Sequence, residues 1–173
     1  MAYVGGLRAR LVKQSAYEML YEALDDLHWF DAGRNHEPIN FVNEDMANEL
    51  EVPLNTLSLA DGDIDSQNIE MGSNLAEHTW AYYVDFFGES DQLSIHMAHD
   101  IKDILEGRMS SIGRTGPMFT VYDYTQATPP ELFKCEIQGV SMDRALNYSK
   151  PWQKYWRSIS FVVVDEYADD ADA

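Results

Sequence analysis

The sequence predicts a single α+β domain, in which a mixed or antiparallel β-sheet with an extended hairpin arm is packed by an N-terminal helix and a central helix. Three observations predict this fold class. A pattern of period two runs directly into a helical pattern between Leu75 and Glu106, a second helical stripe lies near the N-terminus, and three strand patterns close the chain. The 173 residues, 45% of them hydrophobic, suffice for one domain with a buried core, so we expect 1–173 to form one unit.

The stretch 75–106 is the centre of this predicted fold. Its first half alternates aromatic and β-branched residues with polar ones, which is typical of a half-buried strand. One side of that strand carries His78, Trp80, Tyr82, Val84 and Phe86. Its second half repeats apolar residues every three or four positions, as on one helical face, with Ser90 or Asp91 as N-cap and Gly107 as the stop. The helical positions are Leu93, Met97, Ile101, Ile104 and Leu105.

A second helix is predicted from about Gly6 to Leu27. Its leucines and alanines form an apolar stripe, which is interrupted near Ser15. Its charges oppose the helix dipole, because the basic residues stand at its start and the acidic residues near its end. We therefore expect these charges to have partners elsewhere in the molecule. They are Arg8, Arg10, Lys13, Glu22, Asp25 and Asp26.

An extended hairpin arm is predicted between the two helices. Residues 37–42 form a short strand candidate, 43–51 an acidic solvated loop, and three leucines within 54–59 mark a second strand. A polar, turn-rich segment over 61–68 then leads towards the central strand. A strand, a long polar tip and a returning strand make a projecting arm over 61–74. Since an isolated hairpin is barely stable, we expect this arm to lie on a neighbouring molecule.

A predicted loop and three predicted strands close the chain. The segment 107–117 contains three glycines and two arginines, which predicts a mobile loop. Strands are predicted over 119–124, 132–142 and 155–165, the last with apolar residues on both faces at its end, as in a central strand. Residues 168–173 form an acidic tail.

The charge of the chain limits its partners. With 30 acidic against 12 basic residues, the net charge of −18 argues against tight binding to a phosphate backbone. Two interpretations stay open: the acidity keeps the protein soluble, or it lines a surface past which DNA slides without sticking. The single cysteine excludes an internal disulfide, and the sequence predicts neither a signal peptide nor a membrane span.

No catalytic or metal-binding pattern is complete in this sequence, so we expect no catalytic residues, metal ligands or cofactor. Asp61, Asp63 and Asp65 have the spacing of a calcium loop, but the glycine and bidentate glutamate of that loop are missing. His96 and His99 fall on the polar face of the central helix, which favours solvation over zinc binding. The sequence also lacks a nucleophile elbow, a phosphate-binding glycine loop and a dinucleotide fingerprint.

Two further groups favour packing over chemistry. Cys135 alternates with apolar residues in a predicted strand, which favours a small buried hydrophobe. Trp152, Tyr155 and Trp156 stand among basic residues. Stacking on nucleic-acid bases is one interpretation of that cluster, and core packing with subunit contact is the favoured one.

In the order and wording of its segments, the chain resembles the tail terminator (tail completion) proteins of long-tailed phages, especially those of phages with actinobacterial hosts. The residues that carry the resemblance are the helix end 24–30, the arm and strand 60–90, the helix 100–108 and the closing segment 151–167. The resemblance covers nearly the whole chain. It depends on order and pattern, because there is no catalytic signature to compare.

The resemblance implies a structural virion protein and no enzyme. Such a subunit forms a ring, usually of six, that caps the tail tube at its head-proximal end, stops tube polymerisation and receives the head-side connector. Its partners are then copies of itself, the tail tube protein and the connector or stopper protein. DNA passes through the lumen without sequence-specific binding, no membrane is involved, and assembly takes place in the host cytoplasm.

Within this interpretation, two sets of residues are site candidates. Candidates for the subunit interface are Asp61, Asp63, Ile64, Asp65, Ile69, Met71, Trp152 and Trp156. Candidates for a loop that faces the lumen or docks on the adjoining ring are Arg108 and Arg114. The alternatives are another neck protein, a tail tube subunit, which should be richer in strands, or a module that binds calcium or a small ligand.

Overall fold

The computed structural model describes residues 6–31, 36–46, 49, 51–68, 75–144 and 150–168. Within them, the helices are α1 (Gly6–Asp26) and α2 (Asp91–Glu106). The strands are β1 (Asn40–Val42), β2 (Thr56–Asn68), β3 (Leu75–Phe87), β4 (Arg108–Met109), β5 (Arg114–Thr115), β6 (Met118–Tyr122), β7 (Glu131–Arg144) and β8 (Trp156–Ala168). Short 3₁₀ helices lie at Ser110–Ile112 and Pro151–Gln153.

The main sheet is mixed. Its described strands follow the order β1-β2-β3-β8-β7-β6, in which β1 runs parallel to β2 and every other neighbouring pair is antiparallel. The centre of the sheet is the pair β3 and β8, which stay in register from Leu75 opposite Ala168 to Phe87 opposite Trp156. The predicted fold class is thus confirmed: a single α+β domain, with a mixed sheet and two helices.

Both helices cover the same face of this sheet. α2 contacts β3, β7 and β8, α1 contacts β6, and the two helices contact each other. Alternate residues of the strands meet the apolar stripes of the helices in one buried cluster, which includes Leu11, Leu20, Leu24, Trp80, Tyr82, Val84, Phe86, Met97, Ile101, Ile104, Phe161 and Val163. The period-two side predicted for β3 is therefore the core side, as expected from strand geometry.

The ends of α2 agree with the sequence prediction. Ser90 is the N-cap, and its hydroxyl accepts a hydrogen bond from the backbone N–H of Leu93 at 3.2 Å. Asp91 stands in the first turn, where a negative charge suits the helix dipole. Gly107 ends the helix with φ of 69°.

The prediction of a turn-rich segment over 61–68 was wrong, because this segment continues β2. After an irregularity between Asp61 and Ile64, the strand stays paired with β3 as far as Asn68 opposite Ala76. Pairing with the long β3 overrides the turn preference of aspartate and glycine. A side chain at Gly62 would be crowded in this bulge, since a Cβ atom there would lie 2.9 Å from the Tyr83 ring and 3.0 Å from the Ala81 carbonyl oxygen.

The prediction of a mobile loop over 107–117 was also wrong. Arg108 pairs with Thr115 and Met109 with Arg114 in a small antiparallel hairpin closed by a 3₁₀ turn. The Arg114 guanidinium fixes this hairpin to the body, because its Nε donates to the Ile104 carbonyl at 3.1 Å. A high glycine content here forms tight turns and not a flexible connection.

Candidate subunit-interface surfaces

The arm at the far end of the sheet has three strands. On one side of β3, β2 stays paired as far as Asn68. On the other side, β8 stays paired as far as Ala168, opposite Leu75. β7 leaves β8 earlier, since its last register pair in this direction joins Glu136 to Val164. Beyond Val164 the arm therefore consists of β2, β3 and β8, so that β8 supports the β2–β3 hairpin as a third strand.

Two bulges mark the base of this arm. One lies in β2 between Asp61 and Ile64, and the other lies in β7 between Gln138 and Ser141, where Gly139 has φ of 59°. The first bulge lies opposite Ala81 of β3, and Ala81 pairs with Val162 of β8. Val162 also pairs with Gln138 of β7, at the second bulge. Both strands that flank the central pair thus bend at one level, because bulges increase local twist.

Two ion pairs hold α1 to the base of the arm. Arg8 and Asp165 are both buried and form a salt bridge of 2.5 Å, while the guanidinium lies 3.7 Å from the centre of the Phe133 ring. Lys13 and Asp61 form a more exposed pair at 3.2 Å. The expectation that the basic residues at the start of α1 have distant partners is confirmed for Arg8 and Lys13. The arm is thus anchored to α1 through β8 and through β2.

The outer edge of β2 is largely unpaired. β1 pairs only with Thr56, Leu57 and Ser58, and among the described residues no strand pairs with this edge beyond them. Such an edge can accept a strand from another chain. The candidates Asp61, Asp63, Ile64 and Asp65 all belong to β2, whereas Ile69 and Met71 lie outside the described residues.

The tryptophan candidates lie inside the chain, at the opposite end of β3. Trp152 packs edge-on against Phe87, with ring centres 5.0 Å apart, and Trp156 lies 5.4 Å from the same ring. Val52, Phe87 and Trp152 form a second buried cluster on the sheet face away from the helices, and the partly buried Trp156 packs against it. Trp152 is 8% exposed, so its contacts within the chain account for its burial.

A buried carboxylate lies next to this aromatic cluster. Asp85 of β3 accepts a hydrogen bond from the Trp156 indole at 2.9 Å, and Ser158, its register partner on β8, donates a second one. Burial raises the pKa of Asp85, and these two hydrogen bonds oppose the rise. The donors are neutral, and among the described residues no cation forms an ion pair with this carboxylate.

The two arginines of the β4–β5 hairpin differ in exposure. The Arg108 side chain is 69% exposed and forms an ion pair with Glu106 at 3.0 Å. Arg114 donates to the carbonyls of Ile104 and Met118, and burial lowers the pKa of its guanidinium. Arg108 is therefore the more exposed member of the predicted pair, while Arg114 fixes the hairpin.

The described residues contain no cluster of three or more histidine, cysteine or carboxylate side chains that could hold a metal ion. Cys135 is buried as expected, and burial raises the pKa of its thiol. His96 and His99 are exposed on α2, and the His96 ring lies 3.7 Å from Asp100. Neither of the described helices has the length and hydropathy that passage through a bilayer requires.

Sequence reasoning missed two residues that fix the arm. Asp165 ends a run of apolar residues in β8, and nothing in that run signals a buried ion pair. Gly62 did carry a signal, because a glycine inside a strand pattern indicates a bulge or a close approach.

No protein-family model matches the sequence, and no curated protein matches it significantly.

Proposed function

We propose that this chain is a ring-forming tail terminator, which caps a phage tail tube, stops its polymerisation and joins the tail to the head-side connector. The proposal rests on the resemblance of the sequence to that family. The structural observation that supports it best is the three-stranded arm, whose β2 edge has no partner beyond Ser58 among the described residues.

The arm suits assembly because it is anchored at its base and open along one edge. The Arg8–Asp165 pair and the two bulges set its direction relative to the body. An arm that lies on the next subunit makes a heterologous contact, and such contacts close into a ring when the rotation between subunits closes. Contacts within one subunit do not explain why the arm projects with an open β2 edge, and a contact to the next subunit in a ring does.

The charge of the chain agrees with a ring through which DNA passes. With a net charge of −18, the surface repels phosphate more than it attracts it. The exposed Arg108 is then a contact to the adjoining ring or to the lumen.

The alternative of a calcium module loses its main support. Asp61, Asp63 and Asp65 belong to a paired strand, and Asp61 forms an ion pair with Lys13. An extended strand does not wrap its ligands around one cation as a calcium loop does. The alternatives of another neck protein or of a tube subunit share the arm contact and are separated from the proposal by the experiment below.

The first test measures the mass of the purified chain in solution at several concentrations, by light scattering, followed by negative-stain imaging. We expect a closed ring. If the chain is monomeric, it is mixed with tail tubes, where a terminator caps one end and a tube subunit lengthens the tube. A chain that neither forms rings nor caps tubes contradicts the proposal.

The second test removes the arm tip. Replacing residues 69–74 by Asn-Gly, which favours a two-residue hairpin turn, should leave the fold intact and abolish ring formation. The matched control replaces the exposed Ser110 and Ser111, in the turn of the β4–β5 hairpin, by Asn-Gly. Circular dichroism and thermal unfolding check the fold of both variants. An unchanged ring without the tip would show that the arm does not make the contact.

A further inference from the structure

A cavity of about 550 Å³ lies between α1 and the base of the arm, beside the open edge of β2. Its lining includes Arg10, Lys13, Asn43, Asp61, Trp80 and Tyr82. The aromatic rings of Trp80 and Tyr82 make part of this lining apolar, and Arg10, Lys13 and Asp61 supply its charged groups. The cavity therefore lies where a strand added to β2 would meet the body of the subunit.

The edge of β2 beside this cavity indicates which kind of partner fits. Beyond Ser58 no described strand pairs with that edge, so its backbone groups are open to an added strand. The cavity is thus suited to an extended peptide segment.

The charges indicate which kind of segment fits. Arg10 is exposed, and within the described part of the chain it has neither an ion pair nor a hydrogen bond. Lys13 and Asp61 neutralise each other at 3.2 Å. The cavity therefore keeps one uncompensated positive charge in a chain whose net charge is −18, and a segment with one carboxylate matches it.

We propose that the cavity receives the arm tip of a neighbouring copy, residues 69–74. That segment contains one carboxylate, Glu70, between the apolar Ile69 and Met71. Its backbone lies along the open edge of β2, and Glu70 pairs with Arg10. This inference rests on the ring assembly proposed above and names the surface that the arm contacts.

The described strands of the arm lead away from the cavity of their own chain. Leu75 lies six residues along β3 from Ala81, at the cavity, which is about 20 Å in a strand. β3 and β2 stay paired in this direction as far as Ala76 and Asn68. Each copy then gives its tip to one neighbour and receives a tip from the other, which is the head-to-tail contact that a ring requires.

A charge exchange tests the proposed pair. Arg10→Glu and Glu70→Lys should each weaken self-association about tenfold or more, and the double variant should restore most of it. Lys134→Glu makes the same change of charge at an exposed position of β7 and serves as the control. Single variants that assemble normally, or a double variant that gains nothing, would overturn the assignment.

Cross-linking separates this inference from the proposed function. The native Cys135 is 1% exposed, so it should not react, and Arg10→Cys/Glu70→Cys places the reactive thiols in the chain. These two substitutions also remove the proposed ion pair, so the reaction is run at a protein concentration well above that at which the unchanged protein assembles. A short bis-maleimide should then join copies into a ladder on a denaturing gel, whereas Lys134→Cys/Glu70→Cys should stay monomeric. Rings without the ladder overturn the docking site and leave the terminator proposal standing. A ladder from a chain that neither forms rings nor caps tubes keeps the docking site and overturns the terminator proposal, and no ladder without rings overturns both.

Discussion

Two buried aspartates stand at opposite ends of the central strand pair, and they are stabilised in different ways. Asp165, on β8 at the base of the arm, is 3% exposed and has the Arg8 guanidinium at 2.5 Å. Asp85, on β3 beside the aromatic cluster, is 4% exposed and has hydrogen bonds from neutral groups. The difference matches the roles of the two ends, since an ion pair fixes a projecting element to α1 while a neutral network completes a packed one.

The largest expected loss of stability comes from removing the cation that neutralises Asp165, which leaves this aspartate without an ion pair, as Asp85 is. Arg8→Met leaves Asp165 buried without its cation, and breaking a buried pair in this way costs about 3–5 kcal/mol. The free energy of unfolding from urea titration measures the loss. The double variant Arg8→Met/Asp165→Leu removes both charges and should recover most of it. A single variant as stable as the unchanged protein would mean that the pair does not anchor the arm.

Opening the aromatic end should cost about 3 kcal/mol or somewhat more. Phe87 is fully buried between Trp152 and Trp156, and Phe87→Ala leaves a cavity beside Asp85. Tyr83→Ala, on the same face of β3 but 42% exposed, is the matched control and should cost far less. Urea unfolding of both variants checks the difference. Equal losses would contradict the assignment of Phe87 to a second core.

The fold could be predicted from the sequence wherever the apolar residues followed one clear period, either that of a strand or that of a helix. The alternation over β3 and the helical stripe of α2 each bury one apolar face, so pattern and structure agree there. The charges of α1 also gave a correct signal, because an arrangement that opposes the helix dipole indicated partners that the structure supplies for Arg8 and Lys13.

The errors came from segments whose conformation is set by their neighbours. Residues 61–68 have the composition of a turn, but β3 offers them a full-length partner, and pairing decides. The segment after α2 has the composition of a loop, but the Arg114 side chain fixes it by hydrogen bonds to the carbonyls of Ile104 and Met118, which its composition does not reveal. The cavity at the arm base was equally hidden, since Arg10, Asn43 and Trp80 belong to three separate elements.

The smallest expected effect concerns the pH dependence that Asp85 gives to stability. Burial raises the pKa of Asp85 in the folded state above its value in the unfolded chain. Between these two pKa values the folded state binds the additional proton, so this contribution to stability is present at low pH and is lost as the pH rises through the folded pKa. Asp85→Asn removes the titration and should flatten the curve. Its amide keeps an acceptor for the Trp156 indole and offers a donor to the buried, unpartnered hydroxyl of Ser58, its register partner on β2.

This variant is measured by urea unfolding over a series of pH values, with Asp143→Asn as the control at an exposed carboxylate of β7. At neutral pH we expect Asp85→Asn to stay within about 1 kcal/mol of the unchanged protein or to exceed it, because one buried charge is gone. Towards acid pH the free energy of unfolding of the unchanged protein should rise relative to that of the variant. Two parallel curves would mean that Asp85 titrates alike in the folded and unfolded chains, and the contrast with the paired Asp165 would then depend on geometry alone.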